Sequence, residues 1–132
     1  MTARFFDRQD AGNPLNGITL SSEDDIATVF EHARDREPFF CELLSDSGSM
    51  LLMGMGRERG CIQFTEPDNS HFRMAIEVAP LHQGKGELSF LMGGTRTPVP
   101  EQFALSLATE RTIVRHFVRT GEMLPSISWV EI

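Results

Sequence analysis

The sequence lacks the features that mark several protein classes. Its 132 residues include two cysteines, one tryptophan and no tyrosine, and no apolar run approaches 18 residues. Cys41 and Cys61 are too few for a disulfide scaffold or for a structural zinc site on their own. The start, Met1-Thr2-Ala3-Arg4, has no apolar signal segment. We therefore expect no membrane span and no export by a signal peptide. Cys41 and Cys61 lie in apolar segments, so we predict buried, inert thiols.

Length and composition indicate one globular domain over residues 1–132. Apolar residues make up 40% of the chain and charged residues 23%, which are ordinary values for a folded protein. A chain of this size can bury a single core without disulfides or metals.

Net charge is the most informative global property. Nineteen acidic residues against twelve basic ones give −7, and residues 1–80 hold fourteen of the acids but only seven of the bases. Such a chain repels phosphates, so we do not expect it to bind nucleic acid. It suits a basic protein partner, although an acidic balance is also common in proteins that are merely soluble.

Two helices are predicted. Ser22 has the properties of an N-cap, with Asp25 in the capping-box position, and an apolar stripe from Ile26 to Ala33 continues until Pro38 ends the helix. A second, longer helix is predicted to begin near Pro100 and to end at Gly121, with Phe103 and Ala104 at the start of its apolar stripe.

The remaining segments have strand character. Alternation is clearest from Phe72 to Val78, and the segment Gly93–Pro98 is predicted to be a flexible loop. The predicted order is β-α-β-β-β-β-β-α-β. We therefore predict an α+β fold with a single antiparallel sheet of about six to seven strands and two helices packed on it.

The sequence offers no convergent set of catalytic groups. The four histidines are scattered, without a partner at metal-ligand spacing, and the pairs Gly54/Gly56 and Gly84/Gly86 lack the strand-loop-helix context of a phosphate site. We expect no enzyme activity, no cofactor and no metal, although a site assembled from distant residues stays possible on sequence grounds.

The last third of the chain resembles a known family. Gly93-Gly94, Val99-Pro100, a helix, the stretch Phe117–Gly121 and the tail Pro125–Ile132 with its tryptophan follow one another in order. This succession is similar to the C-terminal end of the first-numbered immunity-protein family of bacterial polymorphic toxin systems. The tail is also similar to that of a family member that inhibits a double-stranded-DNA cytosine deaminase toxin. Upstream of residue 90 only the order of elements is similar.

The resemblance implies an inhibitor that acts by binding and contributes no catalytic residue. Such a protein would be cytoplasmic: it would bind the C-terminal domain of a cognate toxin, one to one, inside the producing cell and cover the active or substrate-binding face of that domain. Toxin domains that act on nucleic acid are commonly basic, so acidic residues at turns are candidates for contact. We predict partner-binding roles for four of them, namely Asp46, Glu58, Glu66 and Asp68.

A secretion chaperone is the main alternative function. Such proteins are often small, acidic and α+β, and the methionines between Met50 and Met55 would suit an effector-binding groove. Stoichiometry distinguishes the two functions, because a chaperone is expected to hold its effector as a homodimer.

Overall fold

The computed structural model describes residues 2–77 and 87–132. Its elements are, in chain order, β1 (Ala3–Phe6), β2 (Thr19–Leu20), α1 (Glu23–Arg34), β3 (Phe39–Ser45), β4 (Met50–Met55), β5 (Arg59–Thr65), β6 (Phe72–Ile76), β7 (Glu87–Met92), β8 (Thr95–Pro100), a short 3-10 helix (Glu101–Phe103), β9 (Leu105–Ser106), α2 (Leu107–Thr120) and β10 (Ser128–Glu131). The predictions for Val78, His82 and the turn at 84–86 lie outside the described residues.

Seven strands form one continuous path in the order β10-β6-β5-β4-β3-β1-β2. The β7–β8 hairpin joins this path through a parallel bridge between Phe39 and Leu91, and β9 pairs with the start of β5. The predicted α+β class with a single, mainly antiparallel sheet is confirmed. The strands number ten in the described part, more than the predicted six to seven. Two of the additional strands, β2 and β9, are only two residues long and leave no pattern in the sequence.

Helix α1 forms where its capping signals place it. The Ser22 hydroxyl accepts a hydrogen bond from the Asp25 backbone N–H, and the Asp25 carboxylate accepts one from the Ser22 backbone N–H, both at 3.2 Å. These bonds satisfy backbone groups that the first helical turn leaves without partners. The buried side chains Ile26, Val29 and Ala33 then hold the helix against the sheet.

The start of the second helix was wrongly predicted. Helix α2 begins at Leu107, because the Ser106 hydroxyl caps it by accepting from the Thr109 backbone N–H at 3.2 Å. The segment after Pro100 instead forms the 3-10 turn and β9. Phe103 and Ala104 therefore belong to a second core on the other face of the sheet, and not to the stripe of α2.

The segment Gly93–Pro98, predicted as a loop, instead forms the turn of the β7–β8 hairpin and the first four residues of β8. Gly93 and Gly94 have φ values of 60° and 81° and connect the paired residues Met92 and Thr95. Two glycines with positive φ form the tight turn that best matches strand twist. Strand β8 pairs only with β7, so its other edge has no strand partner. Its prolines are tolerated because an edge strand does not need a backbone N–H at every position.

The two faces of the sheet are covered differently. Both helices pack on one face, over a core that includes Leu43, Met53 and Ile62. The hairpin covers part of the other face through a smaller core with Phe40 and Phe90, whose ring centroids are 5.2 Å apart. The rest of that second face carries no described element.

The end of α2 is fixed to the β3–β4 turn. Gly121 caps the helix with φ 73°, and its carbonyl oxygen accepts a hydrogen bond from the Ser49 hydroxyl at 2.5 Å. A Cβ at Gly121 would lie 2.7 Å from Ser47 Oγ and 2.9 Å from Ser45 Oγ. The glycine is therefore required both for its backbone conformation and for the close approach of the turn.

Gly121→Ala is expected to lower the free energy of unfolding by about 1–3 kcal/mol, through left-handed strain and crowding of the serines. Urea unfolding followed by circular dichroism measures the loss. Gly94→Ala is the matched control, because Gly94 also has positive φ but nothing lies within 4 Å of its Cβ position. Equal losses in the two variants would show that crowding by the serines contributes nothing.

Candidate functional site

The described residues hold no group of three or more histidine, cysteine, aspartate or glutamate side chains that could bind a metal ion. Both cysteines are buried at 1% exposure, as predicted. Burial raises the pKa of the Cys41 and Cys61 thiols above their usual range, with a smaller contribution from the nearby Glu110 carboxyl. Thiols of this kind stay protonated and are poor nucleophiles.

Two acidic turns meet at one end of the sheet. The β3–β4 turn carries Asp46 and the β5–β6 turn carries Glu66 and Asp68. Because Met50 at the start of β4 pairs with Thr65 at the end of β5, both turns emerge at the same end. They also lie close together, since a Cβ built at Gly48 would be 3.5 Å from the Cβ of Pro67. Three of the four predicted partner-binding acids are thus brought together.

Asp46 has an exposed carboxylate that is held in place by Thr2, the residue directly before β1. It accepts hydrogen bonds from the Thr2 backbone N–H at 3.0 Å and from the Thr2 hydroxyl. The backbone bond is the main reason that the pKa of Asp46 is lowered, followed by the hydroxyl bond. The group therefore stays ionised at neutral pH.

Asp68 is also exposed and fixed. Its Oδ1 accepts from the Ser70 hydroxyl at 2.5 Å and from the Ser70 backbone N–H at 3.0 Å, and these two bonds lower the pKa of Asp68. Within residues 2–77 and 87–132, no arginine forms a salt bridge with Asp68 or with Asp46. Both carboxylates are therefore available to cations of a partner.

Glu66 is less available. It is half-buried, and its carboxylate accepts a hydrogen bond from Arg73 Nη1 at 2.7 Å. This pairing holds the β5–β6 turn to β6 and offsets the charge of Glu66, so Glu66 supports the turn more than it displays a charge.

Glu131 is an acidic residue at the same end of the sheet, and it was not predicted from the sequence. Strand β10 pairs with β6 so that Glu131 lies opposite Arg73, and its carboxylate is 2.7 Å from His71 Nδ1. The hydrogen bond with His71 is the first cause of the lowered pKa of Glu131. This pairing joins segments about 60 residues apart, and no local pattern in the sequence indicates it.

Glu58 lies elsewhere. It is exposed in the β4–β5 turn, at the opposite end of the sheet from Asp46, between Arg57 and Arg59. A single flat contact at the acidic turns would not include it, so any part that it plays in binding stays a separate prediction.

A comparison with family models decides the family. The model described as Immunity protein Imm1 matches residues 16–131, which is most of the chain and runs from before β2 to the end of β10. This chain belongs to the Imm1 family of immunity proteins. The match thus covers both helices and both acidic turns, and it extends well upstream of the C-terminal third on which the sequence resemblance rested.

Membership of the Imm1 family identifies the chain as an immunity protein that binds a cognate toxin. This role is that of an inhibitor. A search of curated proteins found no match to this Imm1 chain. Neither helix in the described ranges is long and apolar enough to cross a membrane.

Proposed function

We propose that this immunity protein neutralises an antibacterial toxin domain that acts on nucleic acid, either a deaminase or a nuclease, by covering its active or substrate-binding face. The observation that supports this most directly is the pair of adjoining turns that display the ionised carboxylates of Asp46 and Asp68. A domain that binds nucleic acid needs a positive face, and fixed carboxylates suit such a face.

Charge over the whole chain supports the same target. The net charge of −7 attracts a basic domain at long range, before the surfaces meet, and steered association of this kind is fast. Family membership favours this function over the secretion-chaperone alternative. We further propose a one-to-one complex in the cytoplasm of the producing cell.

The proposal is tested with the C-terminal domain of the toxin encoded next to this chain. The purified domain is incubated with single- and double-stranded DNA and RNA, with and without one equivalent of this protein. We expect modification or cleavage of nucleic acid that ceases at equimolar inhibitor, and light scattering after size exclusion that shows a one-to-one complex. A toxin domain that is inhibited but leaves every nucleic acid intact would contradict the proposed target.

A further inference from the structure

The exposed large apolar side chains of the described residues share one face of the molecule. They are Leu44 (37% exposed), Phe72 (39%), Val130 (40%), Met92 (41%) and Ile132 (62%). We call these five residues the open face.

Strand pairing shows why four of them point the same way. Leu44 pairs with Met50, Met50 with Thr65, and Thr65 with Phe72, so these side chains lie on one side of the sheet. Val130 pairs with Met74, whose side chain belongs to the core beneath the hairpin. The Ile132 backbone N–H donates to the Phe72 carbonyl, which continues the β10–β6 ladder. This side is therefore the one opposite the helices.

A groove continues the open face toward the hairpin. It has a volume of about 240 Å³, and Met92 and Ile132 are among its lining residues together with Leu52, Met74 and Phe103. Met92 lies on the same side of β7 as the buried Leu88 and Phe90, which are four and two residues earlier. Hairpin and sheet thus line this groove together, and no described element covers it.

Acidic side chains border this surface. Asp46 lies two residues after Leu44, and Asp68 lies in the turn that leads into Phe72. The net charge of −7 on each copy opposes the docking of a second copy of this chain on this face. On the β1 side the exposed Arg4 pairs with Leu44, so the border is acidic at the end that carries the two turns. That end suits a partner whose apolar patch is flanked by lysine and arginine.

We propose that the open face is the central part of the interface with the toxin domain, and that its occupant is an apolar patch bordered by basic residues on that domain. The inference rests on the proposed function and adds to it the surface through which this protein binds the toxin domain. Exposed apolar patches on soluble proteins commonly mark interaction sites. Apolar side chains at the centre of an interface mainly set the dissociation rate, while charges at its rim mainly set the association rate.

The test is the double variant Leu44→Ala/Phe72→Ala, measured by surface plasmon resonance against the same toxin domain carrying a substitution of its catalytic residue. We expect dissociation to become at least about tenfold faster while the association rate changes less than about twofold. The control is Phe30→Ala, which shortens a half-buried phenylalanine of α1 on the other side of the sheet. Thermal melts of each variant establish that the chain is folded.

The outcomes separate the two proposals. If the unaltered chain binds and the double variant dissociates at the same rate, the inference is overturned and the proposed function stands. If the unaltered chain does not bind the toxin domain, the proposed function fails and the inference fails with it. If the unaltered chain is a dimer that the double variant converts to a monomer, the occupant is a second copy and the inference is overturned.

Discussion

Asp68→Lys should slow association of this chain with its toxin domain about tenfold in low salt, and Asp46→Lys/Asp68→Lys should slow it about 100-fold. The two carboxylates are exposed, ionised and fixed by hydrogen bonds to Ser70 and Thr2. Reversing them places cations where the proposed basic face approaches. The dissociation rate should change less, because these residues border the apolar surface instead of forming its centre.

Stopped-flow association at two salt concentrations measures this effect. Screening shortens the reach of exposed charges, so the difference between variant and unaltered chain should shrink as salt rises. Glu31→Lys is the matched control, since it changes net charge by the same amount as Asp68→Lys, but Glu31 is an exposed residue of α1 on the other side of the sheet. If Glu31→Lys slows association as much as Asp68→Lys does, net charge and not the acidic turns determines the rate.

Glu110→Met should raise the free energy of unfolding at pH 7 by up to about 4 kcal/mol, the upper end of the gain found when buried ionic groups are replaced by apolar side chains of similar volume. Glu110 lies on α2 and is completely buried, and both carboxyl oxygens lack a hydrogen-bond partner among the described residues. A Cβ at Gly60 would clash with this carboxyl group. Methionine fits a similar volume and removes the desolvated oxygens.

The pH dependence gives a second measure of the same group. Burial raises the pKa of Glu110 well above its usual range, so the folded state binds this proton more tightly than the unfolded state does. The stabilisation is fully present below the pKa of the unfolded chain and is lost as pH rises through the folded pKa. Within that window the stability of the unaltered chain should fall relative to Glu110→Gln, with a limiting slope of about 1.4 kcal/mol per pH unit.

Urea unfolding of the unaltered chain, Glu110→Met and Glu110→Gln between pH 4.5 and 8 measures both the gain in stability and its pH dependence. Glu110→Gln keeps the shape and the polar atoms but removes the ionisation, so it separates the cost of charge from the cost of burying polar atoms. Parallel stability profiles for the unaltered chain and Glu110→Gln would contradict the raised pKa.

Local signals in the sequence were sufficient for much of the fold. The capping box at Ser22 and the glycine cap at Gly121 act over one helical turn, and both helix ends are where these signals place them. The start of α2 was missed because Pro100 satisfies the rules for a first helical turn equally well. What decides between the two starts is the hydrogen bond to the Ser106 hydroxyl, together with the packing of Phe103 under the hairpin.

The candidate site was partly predictable for a related reason. Hairpin order alone places the turns of Asp46 and Asp68 at one end of the sheet, so their proximity follows from consecutive antiparallel strands. Glu131 and the open face depend on the pairing of β10 with β6, which joins distant segments. Periodicity predicts which side chains share a face of one strand. It does not predict which face of the sheet stays uncovered, because that depends on where later elements pack.

The central claim is that this chain protects cells from a toxin, and survival tests it most directly. The C-terminal toxin domain encoded next to this chain is expressed from an inducible promoter in a susceptible bacterium, with or without this chain, and viable cells are counted after induction. The account predicts that viability falls by orders of magnitude without the chain and is restored when the chain is present. Unrestored viability in cells that contain the folded chain in excess over the toxin domain would contradict it.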